Sequence, residues 1–175
     1  LGDYGLADRA HEIKLAAARL ARESADEASS QARPRWVAGS MGPSTKALSV
    51  AGAISFRELQ EHFRKQAIAL HEGGVDYFLV ETCLDTRNIK AALLAVHEVN
   101  EATGEPLPIA VSGTIELNGA MLNGQAVDAL TVSLEHEDLL YLGLNCSTGP
   151  DFMTDHLRTL SEMARVPVAC VPNAG

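Results

Sequence analysis

The chain has 175 residues, of which 46% are hydrophobic and 21% charged, a composition typical of globular proteins and not of disordered or fibrous ones. Fourteen Lys and Arg against 23 Asp and Glu give a net charge of −9, which argues against a nucleic-acid-binding protein because such proteins need a basic surface. No apolar run approaches the roughly 20 residues that span a bilayer, and the three cysteines are too sparse for a disulfide framework. We therefore expect a cytoplasmic domain that binds neither nucleic acid nor a membrane.

In chain order, the apolar periodicity predicts helices separated by short apolar strands. The first thirty residues predict a helix that must end before Pro34. The capping-box spacing of Ser55 and Glu58 predicts the start of a second helix, which Gly73-Gly74 ends. Further helices are predicted from about Ile89 to Gly104 and over 125–134, and another begins near 150. The predicted strands are 36–39, 77–80, 108–111, 141–144 and 166–171.

Strands that are apolar on both faces and alternate with helices indicate an α/β fold with a parallel sheet covered by helices. The strands recur about every 30 residues, the size of a βαβ unit. No Gly-x-Gly-x-x-Gly pattern follows a strand, so dinucleotide binding has no direct support. A (β/α)₈ barrel has the same repeat, but five strands are too few to close one.

Polar and small residues cluster where the predicted strands end. In an α/β barrel these ends share one face, and that face holds the active site. Ordinary βα turns would also be rich in Gly, Ser and Asn, so a purely structural interpretation stays open. The five strand ends carry Gly39-Ser40-Met41-Gly42, Glu81-Thr82, Ser112-Gly113-Thr114, Asn145-Cys146 and Pro172-Asn173-Ala174-Gly175.

With their neighbours, these motifs resemble one known family. The chain is similar to the homocysteine-binding domain of cobalamin-dependent methionine synthase, a zinc-dependent homocysteine S-methyltransferase family built on a (β/α)₈ barrel. The resemblance extends from the first helix to Gly175, and the stretch from Asp85 to Lys90 favours the cobalamin-dependent branch. The ordered motifs are Val37 to Ser44, Val80-Glu81-Thr82 with Asp85 to Asn88 and Lys90-Ala91-Ala92, Ser112-Gly113-Thr114, Gly143 to Cys146 with Gly149-Pro150, and Pro172 to Gly175.

The resemblance implies a fold, a metal and partners. Residues 1–175 would form part of one homocysteine-binding barrel of the TIM type, incomplete, with strands that correspond to the third to seventh. The family holds zinc with the cysteine that matches Cys146 and with two adjacent cysteines of a Gly-Gly-Cys-Cys-Gly motif that this sequence lacks. We therefore expect no stoichiometric zinc in the isolated chain. Methylcobalamin would be supplied by another domain, and the partners would be folate and cobalamin modules of one longer chain.

The resemblance also assigns expected roles to the strand-end residues. Glu81 is expected to bind the homocysteine ammonium, although a carboxylate that caps the next helix is the alternative. Ser112 and Gly113 are expected to present backbone amides to the substrate carboxylate, where a plain tight turn is the alternative. Asn145 either orients Cys146 or contacts the substrate. Cys146 is expected to be a zinc ligand rather than a buried small residue.

Zinc would serve the chemistry because a free thiol has a pKa near 8.5 and only the thiolate is nucleophilic. A zinc-bound thiol is deprotonated, and the substrate sulfur would fill an open fourth position. We expect Cys83 and Cys170 to be packed thiols and the histidines to lie in helical stretches. The alternative function is a catalytically incompetent barrel fragment that acts as an interaction or oligomerisation unit through its open sheet edges. An aldolase is disfavoured because the lysines fall in helices or loops; these are Lys14, Lys46, Lys65 and Lys90.

Overall fold

A computed structural model describes residues 2–50 and 54–174 of the chain. In these ranges five α-helices alternate with five strands, and two 3₁₀ turns (Gly2–Tyr4 and Ala7–Arg9) precede the first helix. The helices are α1 (Ala10–Ala28), α2 (Phe56–Glu72), α3 (Thr86–Thr103), α4 (Val127–Leu134) and α5 (Pro150–Met163). The strands are β1 (Ala38–Met41), β2 (Tyr77–Cys83), β3 (Ile109–Gly113), β4 (Tyr141–Asn145) and β5 (Val168–Val171). The predicted alternation is therefore confirmed.

Local signals in the sequence set the helix ends. Ser55 and Glu58 form the predicted capping box at the start of α2: the Ser55 hydroxyl accepts from the Glu58 N–H at 3.2 Å, and the Ser55 N–H donates to the Glu58 carboxylate at 2.9 Å. The Asp85 side chain caps α3 by accepting from the Arg87 N–H at 2.8 Å. Gly104 ends α3 with a left-handed φ of 68°, a conformation that glycine adopts without steric cost.

The five strands form one parallel sheet in which spatial order equals chain order, β1-β2-β3-β4-β5. Because crossovers between parallel strands are right-handed, neighbours joined in chain order carry their connecting helices on the same face. This singly wound arrangement is that of a barrel wall and not of a sheet with helices on both faces.

The two faces of the sheet differ in burial. Side chains directed toward the helices are almost completely buried, as Phe78 (0% exposed) and Leu144 (1%) show. On the opposite face, Tyr77 and Tyr141 pack edge to face with ring centroids 6.2 Å apart, and burial raises the pKa of Tyr141. We call this opposite face the inner face; along its strands it carries Ser40, Tyr77, Leu79, Glu81, Ser112, Tyr141 and Asn145.

The strand boundaries differ from the predicted ones at the carboxyl ends. The first strand was expected at 36–39 but β1 is Ala38–Met41, and Trp36 is 70% exposed. The expected ends at 80, 111 and 144 lie short of the observed ends at Cys83, Gly113 and Asn145. Backbone pairing does not depend on side-chain polarity, so the ladder continues through residues that hydropathy assigns to loops. The fifth strand begins at Val168 rather than at 166.

Some smaller expectations also need correction. His136 lies in the turn after α4 and not in a helix, whereas the other five histidines are helical. Gly175, the last residue of the fifth strand-end motif, lies outside the described residues. Within 2–50 and 54–174, no helix is both long and apolar enough to cross a membrane.

Candidate functional site

Asn145, the last residue of β4, connects the carboxyl ends of three strands. Its Oδ1 accepts from the Ser112 hydroxyl at 2.6 Å and from the Thr82 N–H at 3.1 Å, while its Nδ2 donates to Thr82 Oγ1 at 2.8 Å. Asn145 and Ser112 are both buried, at 7% and 6% exposure. In a buried setting these hydrogen bonds determine the orientation of the amide, because reversing it would place two donors against each other.

The partner of this asparagine is a bulge in β2. Between the paired residues Val80 and Cys83, β2 contains two residues, Glu81 and Thr82, opposite the single residue Ser112 of β3. Thr82 has a left-handed φ of 56°, which is rare for a β-branched residue and costs about 1–3 kcal/mol. The bulge leaves the Thr82 N–H without a partner in the ladder, and the amide oxygen from β4 accepts it. A local distortion of β2 is thus stabilised from β4.

Glu81 lies on the inner face beside the edge strand β1. Its Oε1 accepts from the Ser40 hydroxyl at 2.6 Å. The Lys14 ammonium, on α1, donates to the Ser40 carbonyl at 3.2 Å. Burial lowers the pKa of Lys14, and the nearby Glu81 carboxylate partly opposes this shift. Lys14 is in a helix, as predicted, but its side chain reaches a strand end, which the sequence pattern did not indicate.

Cys146 directly follows β4 in a strained turn. Cys146 and Ser147 both have left-handed φ values, 64° and 60°. The Thr148 N–H donates to the Cys146 carbonyl at 2.7 Å, so the three residues form a γ-turn with a positive central φ, a rare and strained geometry. The Cys146 N–H donates to the Val171 carbonyl of β5 at 3.1 Å, and the Ser147 hydroxyl donates to Glu116 at 2.8 Å. Cys146 itself is half-buried.

Gly113 is required for packing on the other side of the sheet. A Cβ at this position would lie 2.7 Å from Leu130 Cδ2 of α4, so glycine lets the helix approach the strand. The Thr114 hydroxyl, one residue further, donates to the Asn145 carbonyl at 3.0 Å. The end of β3 therefore supports the backbone of β4 immediately before Cys146.

Asp85 is a buried carboxylate, 1% exposed, to which the sequence alone assigned no role. Besides capping α3, it accepts from the Ser49 N–H at 2.8 Å, the Ser49 hydroxyl at 3.1 Å and the Asn123 amide at 3.4 Å. It thereby joins the loops that follow β1, β2 and β3. A buried charge needs such partners, because an unpaired one is strongly destabilising.

The other two thiols lie on the helix side of the sheet and not on its inner face. Cys83 is buried in the core, where burial above all, together with the charges of Glu81 and Asp85, raises the pKa of its thiol to about 12. The expectation that Cys170 is packed is wrong: this thiol is exposed, with its Sγ 3.9 Å from the sulfur of Met153. The reason is its position on β5, which in the described part of the chain pairs only with β4.

The donors present do not form a complete metal centre. Throughout residues 2–50 and 54–174, no group of three or more His, Cys, Asp or Glu side chains is arranged to hold a metal ion. Of the thiols, only Cys146 follows a strand end near the inner face. A catalytic zinc needs three protein ligands, so these residues supply at most one of the thiolates that the resemblance implies.

The structure brings four predicted residues together and adds others. Asn145 is hydrogen-bonded to Ser112 and precedes Cys146 in the sequence. It is also hydrogen-bonded to Thr82, which follows Glu81 in the bulge. Gly113 is adjacent, but its missing side chain faces α4. Sequence reasoning missed residues whose side chains position these groups: Lys14, Ser40, Thr82, Asp85, Glu116 and Ser147. Ser40 and Thr82 lie in the strand-end motifs but received no individual role, and Asp85 carried a signal as an Asp shortly before a predicted helix.

Comparison with known proteins agrees with this architecture. A family model described as homocysteine S-methyltransferase matches residues 1–175. Methionine synthase of Mycobacterium tuberculosis is 40% identical over 175 residues, which cover 100% of this chain and 15% of that protein. The apo form of the homocysteine methyltransferase MmuM from Escherichia coli has a TM-score of 0.78 at 22% identity, over 97% of this chain and 62% of that chain. The metallated form of MmuM has a TM-score of 0.70 at 25% identity, over 90% and 55% of the two chains.

These matches confirm the resemblance and the expected type of fold. The likeness to MmuM shows that the singly wound sheet has the fold of that protein, of which this chain covers 62%. The chain also spans only about 15% of the length of the methionine synthase that it matches. On the match across all its residues, the chain belongs to the homocysteine S-methyltransferase family.

Proposed function

We propose that the carboxyl edge of the sheet binds homocysteine and presents its sulfur for methylation, within a zinc-dependent methionine synthase that takes the methyl group from methylcobalamin. The observation that carries this proposal is the Asn145 network, which bonds Thr82 to Asn145 and so ties together the direct sequence neighbours of Glu81 and Cys146. Residues 1–175 would contribute the third to seventh strands of one cytoplasmic barrel domain. Methylcobalamin and folate would be handled by other modules of the longer chain.

The proposed substrate orientation follows from the strand order. Glu81 is on β2 and Cys146 follows β4, so the backbones that carry them are two strand spacings apart, roughly 10 Å. This distance suits a small amino acid held at its ammonium by a carboxylate and at its sulfur near a thiolate-bound metal. The carboxylate of homocysteine would lie between them, at the end of β3, against the backbone of Ser112 and Gly113.

Asn145 is proposed to shape this pocket. Its Oδ1 already accepts two hydrogen bonds and its Nδ2 donates one to Thr82, which leaves one N–H of the amide for the substrate. Both roles suggested by the sequence are therefore compatible. Three hydrogen bonds of the amide hold the bulge and Ser112, and the remaining N–H of Nδ2 would donate to the amino acid.

Zinc is part of the proposal although the residues present do not complete its site. Cys146 would be one ligand, and the others would come from residues outside this sequence, as the family resemblance implies. Zinc, when bound, lowers the pKa of a coordinating thiol so that it is deprotonated at neutral pH. The isolated 175-residue chain should retain no stoichiometric zinc after dialysis.

A chimera tests the proposal directly. This chain would replace the 175 matched residues of M. tuberculosis methionine synthase, to which it is 40% identical. We expect the chimera to bind one zinc ion, to bind homocysteine in calorimetric titration and to form methionine. Cys146→Ser should abolish zinc binding and activity, whereas the matched control Cys170→Ser should retain both because that thiol contacts Met153 of α5 on the helix side of the sheet and not the inner face.

Retention of zinc and activity by the Cys146→Ser chimera would overturn the metal assignment. A folded parent chimera that binds no homocysteine would overturn the substrate assignment. That result would support the alternative of an interaction unit, for which the edge strands β1 and β5 are the available surfaces. The family match over residues 1–175 favours the enzyme.

A further inference from the structure

The turn that carries Cys146 is held at its centre by one side-chain contact. Backbone bonds act on either side of it: the Cys146 N–H donates to Val171, and the Thr148 carbonyl accepts from the Asn173 N–H at 3.1 Å. Ser147, the central residue, has a left-handed φ of 60°. Strained backbone persists only where its surroundings specify it. The contact at Ser147 itself is the hydrogen bond from its hydroxyl to Glu116, at 2.8 Å.

Glu116 is itself firmly placed. Its N–H donates to the Ala120 carbonyl at 2.9 Å, and its own carbonyl accepts from the Gly119 N–H at 2.9 Å. Gly119 has a positive φ of 83°, as a tight turn of this kind requires. The loop after β3 thus presents the carboxylate from a closed turn, and a charge-assisted hydrogen bond to it is stronger than a neutral one.

We propose that Ser147 and Glu116 are positioning residues for Cys146: their hydrogen bond holds the γ-turn that directs the thiol. The inference rests on the proposed function, in which the orientation of that thiol matters for zinc. Neither residue needs to touch the substrate for this role. The inference predicts that removing either partner of this hydrogen bond will make the Cys146 thiol more mobile and more reactive, while the rest of the fold is maintained.

The three cysteines allow a test on the 175-residue chain without zinc or homocysteine. Alkylation by iodoacetamide at one pH would be followed for each cysteine by peptide mass spectrometry. The readout is the rate at half-buried Cys146 relative to exposed Cys170. Buried Cys83 reports unfolding, because its thiol reacts only when the core opens. The result is independent of whether homocysteine or zinc binds, so it is judged separately from the chimera experiment.

The variants separate the hydrogen bond from charge and bulk. Ser147→Ala and Glu116→Ala should each raise the Cys146 to Cys170 rate ratio by about three- to tenfold, the change expected for losing one hydrogen bond of ordinary net strength between half-buried groups. Glu116→Gln removes the charge but keeps an acceptor, and Ser147→Thr keeps the hydroxyl. Glu116→Gln, which leaves a weaker neutral bond, should raise the ratio by less than Glu116→Ala does. Ser147→Thr should stay near the wild-type ratio; Thr82 shows that this chain accommodates a left-handed threonine.

Two results would overturn the inference. One is an unchanged ratio in either alanine variant whose Cys83 remains protected. The other is a change in Glu116→Gln as large as that in Glu116→Ala, which would assign the effect to charge. If one alanine variant unfolds and exposes Cys83, the other decides, because the two remove opposite partners of the same bond.

Discussion

Asn145 and Thr82 are hydrogen-bonded to each other twice although they belong to β4 and β2, which are separated by β3. The asparagine side chain extends over Ser112, the residue of β3 that lies between them, and accepts from its hydroxyl as well. Such a contact skips a strand, so it constrains the curvature of the sheet at its carboxyl edge. The distance between β2 and β4 at this edge therefore depends on the side-chain amide of Asn145.

Replacing Asn145 by Ala should lower the free energy of unfolding by about 2–4 kcal/mol, because the Thr82 N–H and the Ser112 hydroxyl lose their acceptor in a buried place. Urea denaturation would measure the change. Combining this variant with Thr82→Gly, which relieves the left-handed strain, should give a coupling energy of about 1–2 kcal/mol in a double-mutant cycle. Additive effects would show that the two residues do not act together.

Asn100 provides the matched control for Asn145. Its amide forms two hydrogen bonds, against three for Asn145, and both are with the backbone of Leu107, which precedes the opposite end of β3. Asn100→Ala should therefore destabilise the chain without altering the alkylation rate of Cys146 relative to Cys170. Asn145→Ala should alter that ratio. An equal effect of both variants would mean that Asn145 has only a general structural role.

Gly42→Ala should destabilise the chain by about 2–3 kcal/mol through strain and a steric clash. Gly42 has a φ of 113°, and a Cβ there would lie 2.7 Å from the Glu81 carbonyl oxygen, a backbone atom that cannot easily move. Gly104 also has a positive φ, but a Cβ there would have nothing within 4 Å. Gly104→Ala should thus cost only about 1 kcal/mol. Urea denaturation of both variants would measure the difference, and equal costs would exclude the clash with Glu81.

Asp85→Ala should lower the free energy of unfolding by about 3 kcal/mol, because it removes a helix cap and leaves the Ser49 groups without an acceptor. Asp85→Asn should cost less, since one side-chain oxygen remains. Asp151, an exposed residue in the first turn of α5, is the control, and its replacement by Ala should change stability by less than about 0.5 kcal/mol. Thermal or urea unfolding would rank the three. A cost for Asp85→Ala no larger than that for Asp151→Ala would contradict the inference that Asp85 joins the three loops.

Cys83 should be unreactive in the native chain at pH 8 while Cys146 and Cys170 react. Burial raises the pKa of Cys83 to about 12, which keeps the thiol protonated as well as inaccessible. Titration with a chromogenic disulfide should therefore detect two thiols in buffer and three in urea. Rapid reaction of all three in buffer would indicate that the core around β2 opens readily.

Glu58 should contribute to the acid sensitivity of the chain. Hydrogen bonds from Ser55 lower the pKa of Glu58 in the folded state. Its contribution is therefore fully present above the unfolded pKa and is lost as the pH falls through the folded one. Glu58→Gln should lower stability at pH 7 and lose less than the wild type between pH 5 and pH 3. Urea denaturation at a series of pH values would measure this. An equal loss of unfolding free energy in the two proteins between pH 5 and pH 3 would contradict the prediction.

Much of the fold could be predicted from local signals. Capping residues, glycine stops and the 3.6-residue apolar period located the helices, because these features act within one element. The strand ends were less accessible: Glu81, Ser112 and Asn145 are polar, yet the ladder extends to or past them since backbone pairing is indifferent to their side chains. Cys170 lies on the fifth strand as predicted, but the expected packing of its thiol was wrong, because its exposure depends on the absence of a neighbouring strand among the described residues and not on hydropathy.

The site was predictable only in part. Strand-end motifs identified Glu81, Ser112, Asn145 and Cys146, since parallel strands bring their carboxyl ends together. The network that holds them depends on a register shift at Thr82, and no pattern in the sequence marks a bulge at a β-branched residue. The partnership of Ser147 with Glu116 depends likewise on how two loops meet, at a separation of 31 residues.

The order of the strands also bears on how the chain is made. Each strand pairs with the next one to leave the ribosome, so no strand must wait for a distant segment before its hydrogen bonds form. The sheet can therefore add its strands one by one from the amino-terminal end as synthesis proceeds. Because Asn145 reaches back to Thr82, the distorted carboxyl end of β2 completes its bonding only after β4 has been translated, later than the rest of that strand.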